Sequence, residues 1–479
     1  MESLKEIIYN LKPSEAEFIQ DYYKVKRGGL CSKRLKLFQL VHTRKVKTDE
    51  EAAKVIYKTR PTSTFSKLKK RLKEDILNFL IMMSGDKTCE SASTGFDLQA
   101  RKLIIQGKIL MSRGLYEEAA ETTQKALKIA DTYELIDLKI NACDMLRSTS
   151  ENNQPSQQHA SINAKIKQTM SDQQYLQQAK AYSYLLAHEG VANQDIDADA
   201  LKELEEVEER SESAKVSYWC LKTACQYHYA NRNYVEARDS AMRLIDMVEH
   251  EKAIHSDYNL CEAHFLLTKS LICLKQYEEA IVHAGQSLGA TDAGLLCEEG
   301  ARSAQFLSSY YHRDLKLANA VIKEVLINRE IKLCARAEAK WTYYEACLLF
   351  ARKDFNGSLK SLYSNSGLLK EKTCGTLGYR LLEILNMVEM KEYDWLDFKL
   401  ENHRKLLQRF KGNEYLRYKI THRIITTLAT NGFNFNKTYQ QEYDKLTMLK
   451  SEAKPYLRDP LGFELIDFNG WFNQKVGLS

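Results

Sequence analysis

The residues in this sequence with the clearest potential for chemistry are a cysteine and a histidine three positions apart. On a helix, Cys261 and His264 would point to the same side, as two metal ligands must. A zinc site needs two more ligands, and His255 and Asp257 are the nearest donors. Packing in the core or exposure to solvent explains the pair more simply, so we predict no metal site.

The sequence also lacks the short motifs that bind nucleotides or build common catalytic centres. It contains no GxGxxG, GxxxxGK[ST], GxSxG or HExxH pattern, and its 11 histidines are scattered singly. Catalysis requires a nucleophile, an acid–base pair, a metal or a cofactor, and the sequence offers no recognisable candidate. We therefore predict that the protein is not an enzyme and needs no cofactor.

The elements that would position any binding site are predicted to be helices. Only 5 prolines and 20 glycines occur among 479 residues, so little interrupts a helix. The clearest segment, RKLIIQGKILMSRGLYEEAAETTQKALKIADTY at 101–133, places small residues at Gly107, Ala119 and Ala126. Small residues let two antiparallel helices approach closely, and Tyr116 would fill the space near the turn between them.

Residues that anchor such a turn recur at a nearly constant spacing. The anchors are Tyr116, Tyr234, Tyr277, Leu315, Phe355, Tyr393 and Phe433, and the successive gaps are 118, 43, 38, 40, 38 and 40 residues. Because 118 is close to three periods, two hidden turns are predicted at 150–156 and 190–197. The spacing therefore predicts about nine helical hairpins within residues 98–450.

This pattern resembles the tetratricopeptide-repeat (TPR) family, of which a period near 40 makes the chain a divergent member. The resemblance implies an all-α, TPR-like α-solenoid whose first helices line a concave groove for a protein or peptide. In that register the candidate groove residues are Arg101, Lys108, Trp219, Lys222, Gln226, Tyr229, Phe265, Lys269, Tyr310, Lys340 and Tyr343. Interleaved lysines and aromatics favour a partner with acidic groups. Alternatively, each is an ordinary solvated or packing residue.

Residues 1–90 do not share the period and are predicted to form a small, basic helical domain. Residues 1–83 contain 19 Lys plus Arg and 10 Asp plus Glu, a net charge of +9, whereas the rest of the chain nets −3. The predicted helices lie near 14–25, 32–43, 49–58 and 62–83.

The last two of these helices resemble a helix-turn-helix with a basic second helix. Five residues would then contact nucleic-acid phosphates: Lys67, Lys69, Lys70, Arg71 and Lys73. The turn around Pro61 is longer than usual, and its expected glycine is missing. A helical cap that shields the first repeat, with these lysines in water, is the alternative.

Three other features bear on the end of the repeats and on location. Residues 451–479 are rich in apolar side chains and are predicted to cap the last repeat. No run of 18 apolar residues occurs, so no membrane span is expected. The 11 cysteines form no CxxC pair, which favours free thiols in a reducing cytoplasm.

Together these patterns predict a cytoplasmic, non-enzymatic scaffold or adaptor that binds a protein or peptide in its groove. The alternative is a regulator with a DNA-binding head and a TPR-like sensor. That layout resembles the bacterial peptide-responsive regulators that join a DNA-binding domain to tetratricopeptide repeats. The sequence leaves the partner and the oligomeric state open.

Overall fold

The protein is all-α in the part of the chain that the structure, a computed structural model, describes. The described residues are 2–9, 11, 13–25, 29–46, 48–83, 92–150, 156–188, 198–289, 295–327, 335–370, 374–451, 453 and 456–478. They contain helices and no strand, which confirms the predicted class. The chain divides into two compact units, Met1–Ser171 and Asp172–Ser479. The three predicted domains, 1–90, 98–450 and 451–479, stay predictions.

Five helices precede the repeats. They are α1 (Glu2–Tyr9), α2 (Pro13–Val25), α3 (Gly29–His42), α4 (Asp49–Tyr57) and α5 (Ser63–Met83). The last four match the predicted helices within a few residues, and α1 was not predicted. It forms because Leu4 and Ile8 are one turn apart and both buried in the common core of these helices. Helix α4 starts with a capping box between Thr48 and Glu51.

The repeats are pairs of helices joined by short turns. The first of these helices are α6 (Ala92–Ser112), α7 (Tyr116–Thr132), α8 (Ile136–Ser150) and α9 (Ser156–His188). Those that follow are α10 (Ala198–Arg210), α11 (Ala214–Ala230), α12 (Tyr234–His250), α13 (Asp257–Cys273), α14 (Tyr277–Gly289), α15 (Leu295–Tyr311) and α16 (Leu315–Ile327). The remainder are α17 (Ala335–Ala351), α18 (Phe355–Ser364), α19 (Gly367–Lys370), α20 (Cys374–Met390), α21 (Leu396–Leu407), α22 (Leu416–Thr430), α23 (Phe435–Gln441), α24 (Tyr443–Met448) and α25 (Phe468–Val476).

Consecutive helices pack on each other as hairpins. The packed pairs are α6–α7, α11–α12, α13–α14, α15–α16, α17–α18, α20–α21 and α22–α23. We call the earlier member of each pair a first helix. The first helices α11 and α13 pack together, as do α13 and α15, and α17 and α20. Hairpins stacked through their first helices make the chain a divergent TPR-like helical repeat.

A left-handed residue makes the turn inside each hairpin. In six turns, the residue two positions before the anchor has a positive φ: Gly114, Arg232, Lys275, Arg313, Lys353 and Lys391. This conformation ends the first helix and reverses the chain, and glycine adopts it without strain. The recurrence of the same turn explains why the anchors recur at a constant spacing.

The alanines that follow these turns lie where two helices meet. Ala119, Ala237 and Ala280 have no exposed surface, as close helix packing at these positions requires. At Gly107 the approach is closer still, because a Cβ there would lie 2.8 Å from the Met145 and Thr123 side chains. A larger residue at these positions would overpack the interface.

The region between the first and second strong repeats departs from the predicted register. The predicted turns at 150–156 and 190–197 fall largely on residues 151–155 and 189–197, which lie outside the described residues. Between them, two predicted helices are one helix of 33 residues, α9. No glycine or proline interrupts it. The boundary between the two units falls within this helix.

Six of the described cysteines lie inside the helical layers and form no disulfide. Cys143, Cys220, Cys225, Cys261 and Cys347 are buried, and Cys273 is half-buried. Burial raises the pKa of Cys220, Cys225 and Cys347 to about 12. They are therefore packing residues of the helix interfaces.

Candidate peptide-binding surface

Several cations of the predicted groove are already neutralised by neighbouring helices. Lys222 on α11 is buried and forms an ion pair of 2.7 Å with Glu262 on α13. Lys340 on α17 pairs in the same way with Glu299 on α15. In the first unit, Arg101 pairs with Asp97 and Asp137 at 2.9 Å each, and Lys108 is exposed. Lys222 and Lys340 each reach the first helix of a neighbouring hairpin, so much of the positive charge expected from the interleaved lysines is compensated.

Other predicted groove residues form a packed aromatic layer on the first helices. The ammonium of Lys269 lies 4.0 Å from the ring centre of Tyr229 and 5.7 Å from that of Phe265. Burial lowers the pKa of Lys269, against the nearby Cys225, Cys273 and Asp459, which raise it. Gln226 accepts a hydrogen bond of 2.8 Å from Ser183.

The structure also shows that a C-terminal segment of the chain lies across the first helices, which the sequence did not predict. After α24 the chain returns across the first helices as a non-helical stretch, Tyr456–Glu464, which we call the return segment. The hydroxyl of Tyr311, on α15, donates a 2.6 Å hydrogen bond to the carbonyl oxygen of Pro460. The hydroxyl of Tyr343, on α17, donates one of 2.6 Å to the carbonyl oxygen of Phe463. Two tyrosines from successive hairpins therefore hold the main chain of the segment.

Burial keeps these hydroxyls in the form that donates. It raises the pKa of Tyr311 to about 12 and that of Tyr343 well above its usual value. Both side chains also contact the segment through their rings. The guanidinium of Arg458 lies 5.0 Å from the ring centre of Tyr311, and the ring of Phe463 lies 5.7 Å from that of Tyr343.

A buried ion pair anchors the end of the segment. Arg417, on α22, holds the Glu464 carboxylate with two hydrogen bonds of 2.7 and 2.8 Å. The same guanidinium donates to the carbonyl oxygens of Leu449 and Tyr456 at 2.9 and 2.7 Å. Both side chains are nearly inaccessible, with exposures of 6% and 4%. A guanidinium this buried requires a carboxylate partner.

The segment lies very close to α20 at one glycine. A Cβ at Gly378 would lie 2.0 Å from the carbonyl oxygen of Phe463, nearer than any real contact. A Cβ at Gly375, on the same helix, would lie 3.4 Å from the Phe463 ring, which is tight but adjustable. Gly378 is therefore needed for the return segment to reach its place. We call the residues that hold it, Tyr311, Tyr343, Gly378 and Arg417, the segment-binding surface.

Beyond the segment, the chain packs on the last hairpins. Leu465, Phe468, Trp471 and Phe472 are buried in the same core as the last hairpins. The indole of Trp471 donates a 2.6 Å hydrogen bond to Glu389 of α20. The sequence thus indicated that this region packs on the repeats, but not that part of it lies across their first helices.

The remaining predicted groove residues take different positions. Trp219 is half-buried on α11, with the ammonium groups of Lys222 and Lys180 at 4.4 and 5.3 Å from its ring centre. The exposed Tyr184, on α9, lies beside it with ring centres 6.0 Å apart. Tyr310 is buried and packs on Phe306 in the core.

The predicted nucleic-acid contacts on α5 divide into two groups. Lys69 pairs with Asp49 of α4, and Lys73 donates to the hydroxyl of Ser3 at 2.8 Å. Lys67, Lys70 and Arg71 are exposed on one face of the helix, opposite the buried Phe65, Leu68 and Leu72. These three cations face solvent.

Cys261 and His264 have partners other than a metal. Cys261 lies 3.2 Å from the Ser287 hydroxyl, and His264 stacks on His283. Within the described residues, no group of three or more His, Cys, Asp or Glu side chains is arranged to hold a metal ion. None of the described helices is both long and apolar enough to cross a membrane.

Comparison with known proteins adds little to this geometry. No protein-family model matches the chain, and no curated protein is significantly similar. Among solved structures, the chain is similar to a signal transduction ATPase with numerous domains (STAND protein) with a tetratricopeptide repeat sensor from Pyrococcus horikoshii. The identity is 14% and the TM-score 0.37; the match covers 82% of this chain and 52% of that one. The chain thus spans about half of that protein, and its assignment as a divergent TPR-like repeat rests on its own helix pairs.

Proposed function

We propose that the protein is a non-enzymatic, cytoplasmic adaptor whose first helices hold an extended segment of a protein partner. One observation carries this proposal: the first helices already hold such a segment of their own chain. Tyr311 and Tyr343 bind main-chain carbonyl oxygens, which every peptide offers. Recognition of this kind suits an extended ligand, with side-chain pockets adding specificity.

A neighbouring part of the first helices offers further contacts to a partner. Trp219 on α11 and Tyr184 on α9 form an aromatic pair, and the ammonium group of Lys180 lies 5.3 Å from the Trp219 ring centre; Lys222, near the same ring, is already paired with Glu262. Such a pair combines apolar area with positive charge and suits a peptide that carries both aromatic and acidic residues. This supports the preference for acidic partners inferred from the sequence.

Site-specific photo-crosslinking tests the proposed function. A photoreactive phenylalanine replaces Tyr184, which is 56% exposed beside Trp219, and the partner is crosslinked in a cytoplasmic extract. We expect crosslinks from this position because the partner would pass over the first helices. Met242 on the second helix α12 is the control, since it is equally accessible at 55% exposure. Equal crosslinking from both positions, or crosslinking from Met242 alone, would contradict the proposal.

A second candidate function is supported by α5. Its exposed Lys67, Lys70 and Arg71 suit phosphate contacts, as in a regulator whose head binds DNA. We expect the full chain to bind a fluorescent DNA duplex in low salt, and Lys67→Glu/Arg71→Glu to weaken binding strongly. Lys102→Glu/Lys128→Glu, exposed lysines of α6 and α7, is the control of equal charge. Fluorescence anisotropy would reject this function if the two double variants bind alike or the wild type does not bind.

A further inference from the structure

The return segment combines a firmly buried end with a much less buried body. From Tyr456 to Phe463 its residues are half-buried, except Asp459, which is exposed. Glu464 and Leu465, by contrast, are buried. The body lies in no helix. Hydrogen bonds from side chains of the first helices hold its main chain, and Tyr456, Leu461 and Phe463 pack against the core. An extended peptide is bound in the same way, by main-chain hydrogen bonds with apolar side chains adding contact.

The contacts define which peptide features the surface recognises. Main-chain carbonyl oxygens accept from Tyr311 and Tyr343, so these contacts place no demand on side chains. The ring of Phe463 packs on Tyr343, and the next residue, Glu464, gives its carboxylate to Arg417. An aromatic residue followed directly by an acidic one is therefore the part of the ligand that determines specificity.

The buried arginine restricts what can replace the segment. Arg417 is held by two bonds to Glu464, and losing that carboxylate would leave a guanidinium charge buried without its counter-ion. An occupant without an acidic residue at this point is strongly disfavoured. An occupant with one restores the pair.

Asp459, toward the other end of the segment, stabilises the segment's own turn. Its carboxylate accepts a 3.0 Å hydrogen bond from the N–H of Leu461.

We propose that the segment-binding surface also takes, from a partner protein, an extended peptide with an aromatic–acidic pair, and that the return segment is the resident competitor which this peptide displaces. This inference rests on the proposed function and specifies the partner of the same first helices. Because the return segment is tethered, its effective concentration is on the order of millimolar, so a free peptide competes weakly unless the segment is loosened.

The test uses the full chain and a fluorescent synthetic peptide with the sequence of residues 456–467, YLRDPLGFELID. Phe463→Ala weakens the resident segment and leaves the segment-binding surface intact. We expect this variant to bind the peptide at least about tenfold more tightly than the wild type, because the tethered competitor is lost. Asp459→Lys, at an exposed position, removes the carboxylate that accepts from the N–H of Leu461 and is a second way to loosen the segment.

Two controls tie the binding to this surface. Adding Gly378→Ala to Phe463→Ala should abolish peptide binding, because the Cβ fills the place of the peptide's carbonyl oxygen, whereas adding Gly375→Ala should not. A peptide with lysine in place of its glutamate should not bind. The inference is overturned if both loosened variants bind the peptide no better than the wild type, or if the lysine peptide binds equally well. If the inference is overturned while crosslinking from position 184 succeeds, the inference fails and the proposed function stands. If the peptide binds as expected but crosslinking from position 184 fails, the proposed function is contradicted.

Discussion

Replacing Arg417 by methionine is expected to lower the free energy of unfolding by about 3–5 kcal/mol, because it leaves the Glu464 carboxylate buried without its partner. The substitution also removes the donor to the carbonyl oxygens of Leu449 and Tyr456. Urea unfolding followed by tryptophan fluorescence measures the loss. We expect the midpoint to fall with little change in the slope, since the folded state stays compact.

The chain provides a matched control for this substitution. Arg404 holds Glu401 with the same two-bond geometry, at 2.7 and 2.8 Å, but the two side chains are 50% and 43% exposed. Arg404→Met should leave the unfolding midpoint unchanged within error, because water replaces the lost partner. The double variant Arg417→Met/Glu464→Met should recover part of the stability by removing both charges. Equal losses of stability in Arg417→Met and Arg404→Met would show that burial of the Arg417–Glu464 pair does not make stability more dependent on it.

Gly378→Ala is the second substitution with a large expected effect. Its Cβ would lie 2.0 Å from the carbonyl oxygen of Phe463, so the return segment must move away and lose its hydrogen bond from Tyr343. We expect a net loss of about 1–3 kcal/mol from overpacking. Trypsin should also cleave faster after Arg458, within the loosened segment, than in the wild type.

Gly375→Ala separates this contact from the general effect of adding a methyl group to α20. Both substitutions improve helix propensity by about 1 kcal/mol, and both face the return segment. The Cβ at position 375 meets only side-chain atoms at 3.4 Å, which can shift slightly. We therefore expect wild-type stability or better. Unchanged cleavage after Arg458 in Gly378→Ala would mean that the segment adapts without leaving the surface.

The helical hairpins were predictable because one local rule repeats along the chain. A residue with left-handed backbone, an anchor two positions later and a buried alanine three positions after that recur at Gly114, Tyr116 and Ala119 and in later repeats. Each copy of this pattern is local in the sequence, so it can be recognised there. Helix α9 broke the register because nothing in its sequence ends a helix.

Which lysines of the candidate surface are paired with carboxylates was harder to predict, although the repeat period indicates where their partners lie. Glu262 stands 40 positions after its partner Lys222, which is one repeat. In a stacked array, residues one period apart on first helices are neighbours, so cations should have been examined against carboxylates at that separation. Considering each lysine alone led to the expectation that these lysines are available to an acidic partner.

The return segment could not be predicted from local patterns. Its contacts join residues far apart in sequence, such as Tyr311 with Pro460 and Tyr343 with Phe463. The segment has no helical periodicity, and its main-chain contacts do not depend on its side chains. The one sequence trace is Gly378, a glycine inside a helix where alanine would be more stable.

The buried thiols have a consequence for the handling of this protein. Nucleophilic attack by cysteine needs the thiolate, and burial raises the pKa of Cys220, Cys225 and Cys347 to about 12. Near neutral pH these side chains remain protonated and enclosed, so alkylating reagents and peroxide reach them only when a hairpin opens. Their rates of modification therefore report local opening at the hairpins that contain α11 and α17, without any engineered label.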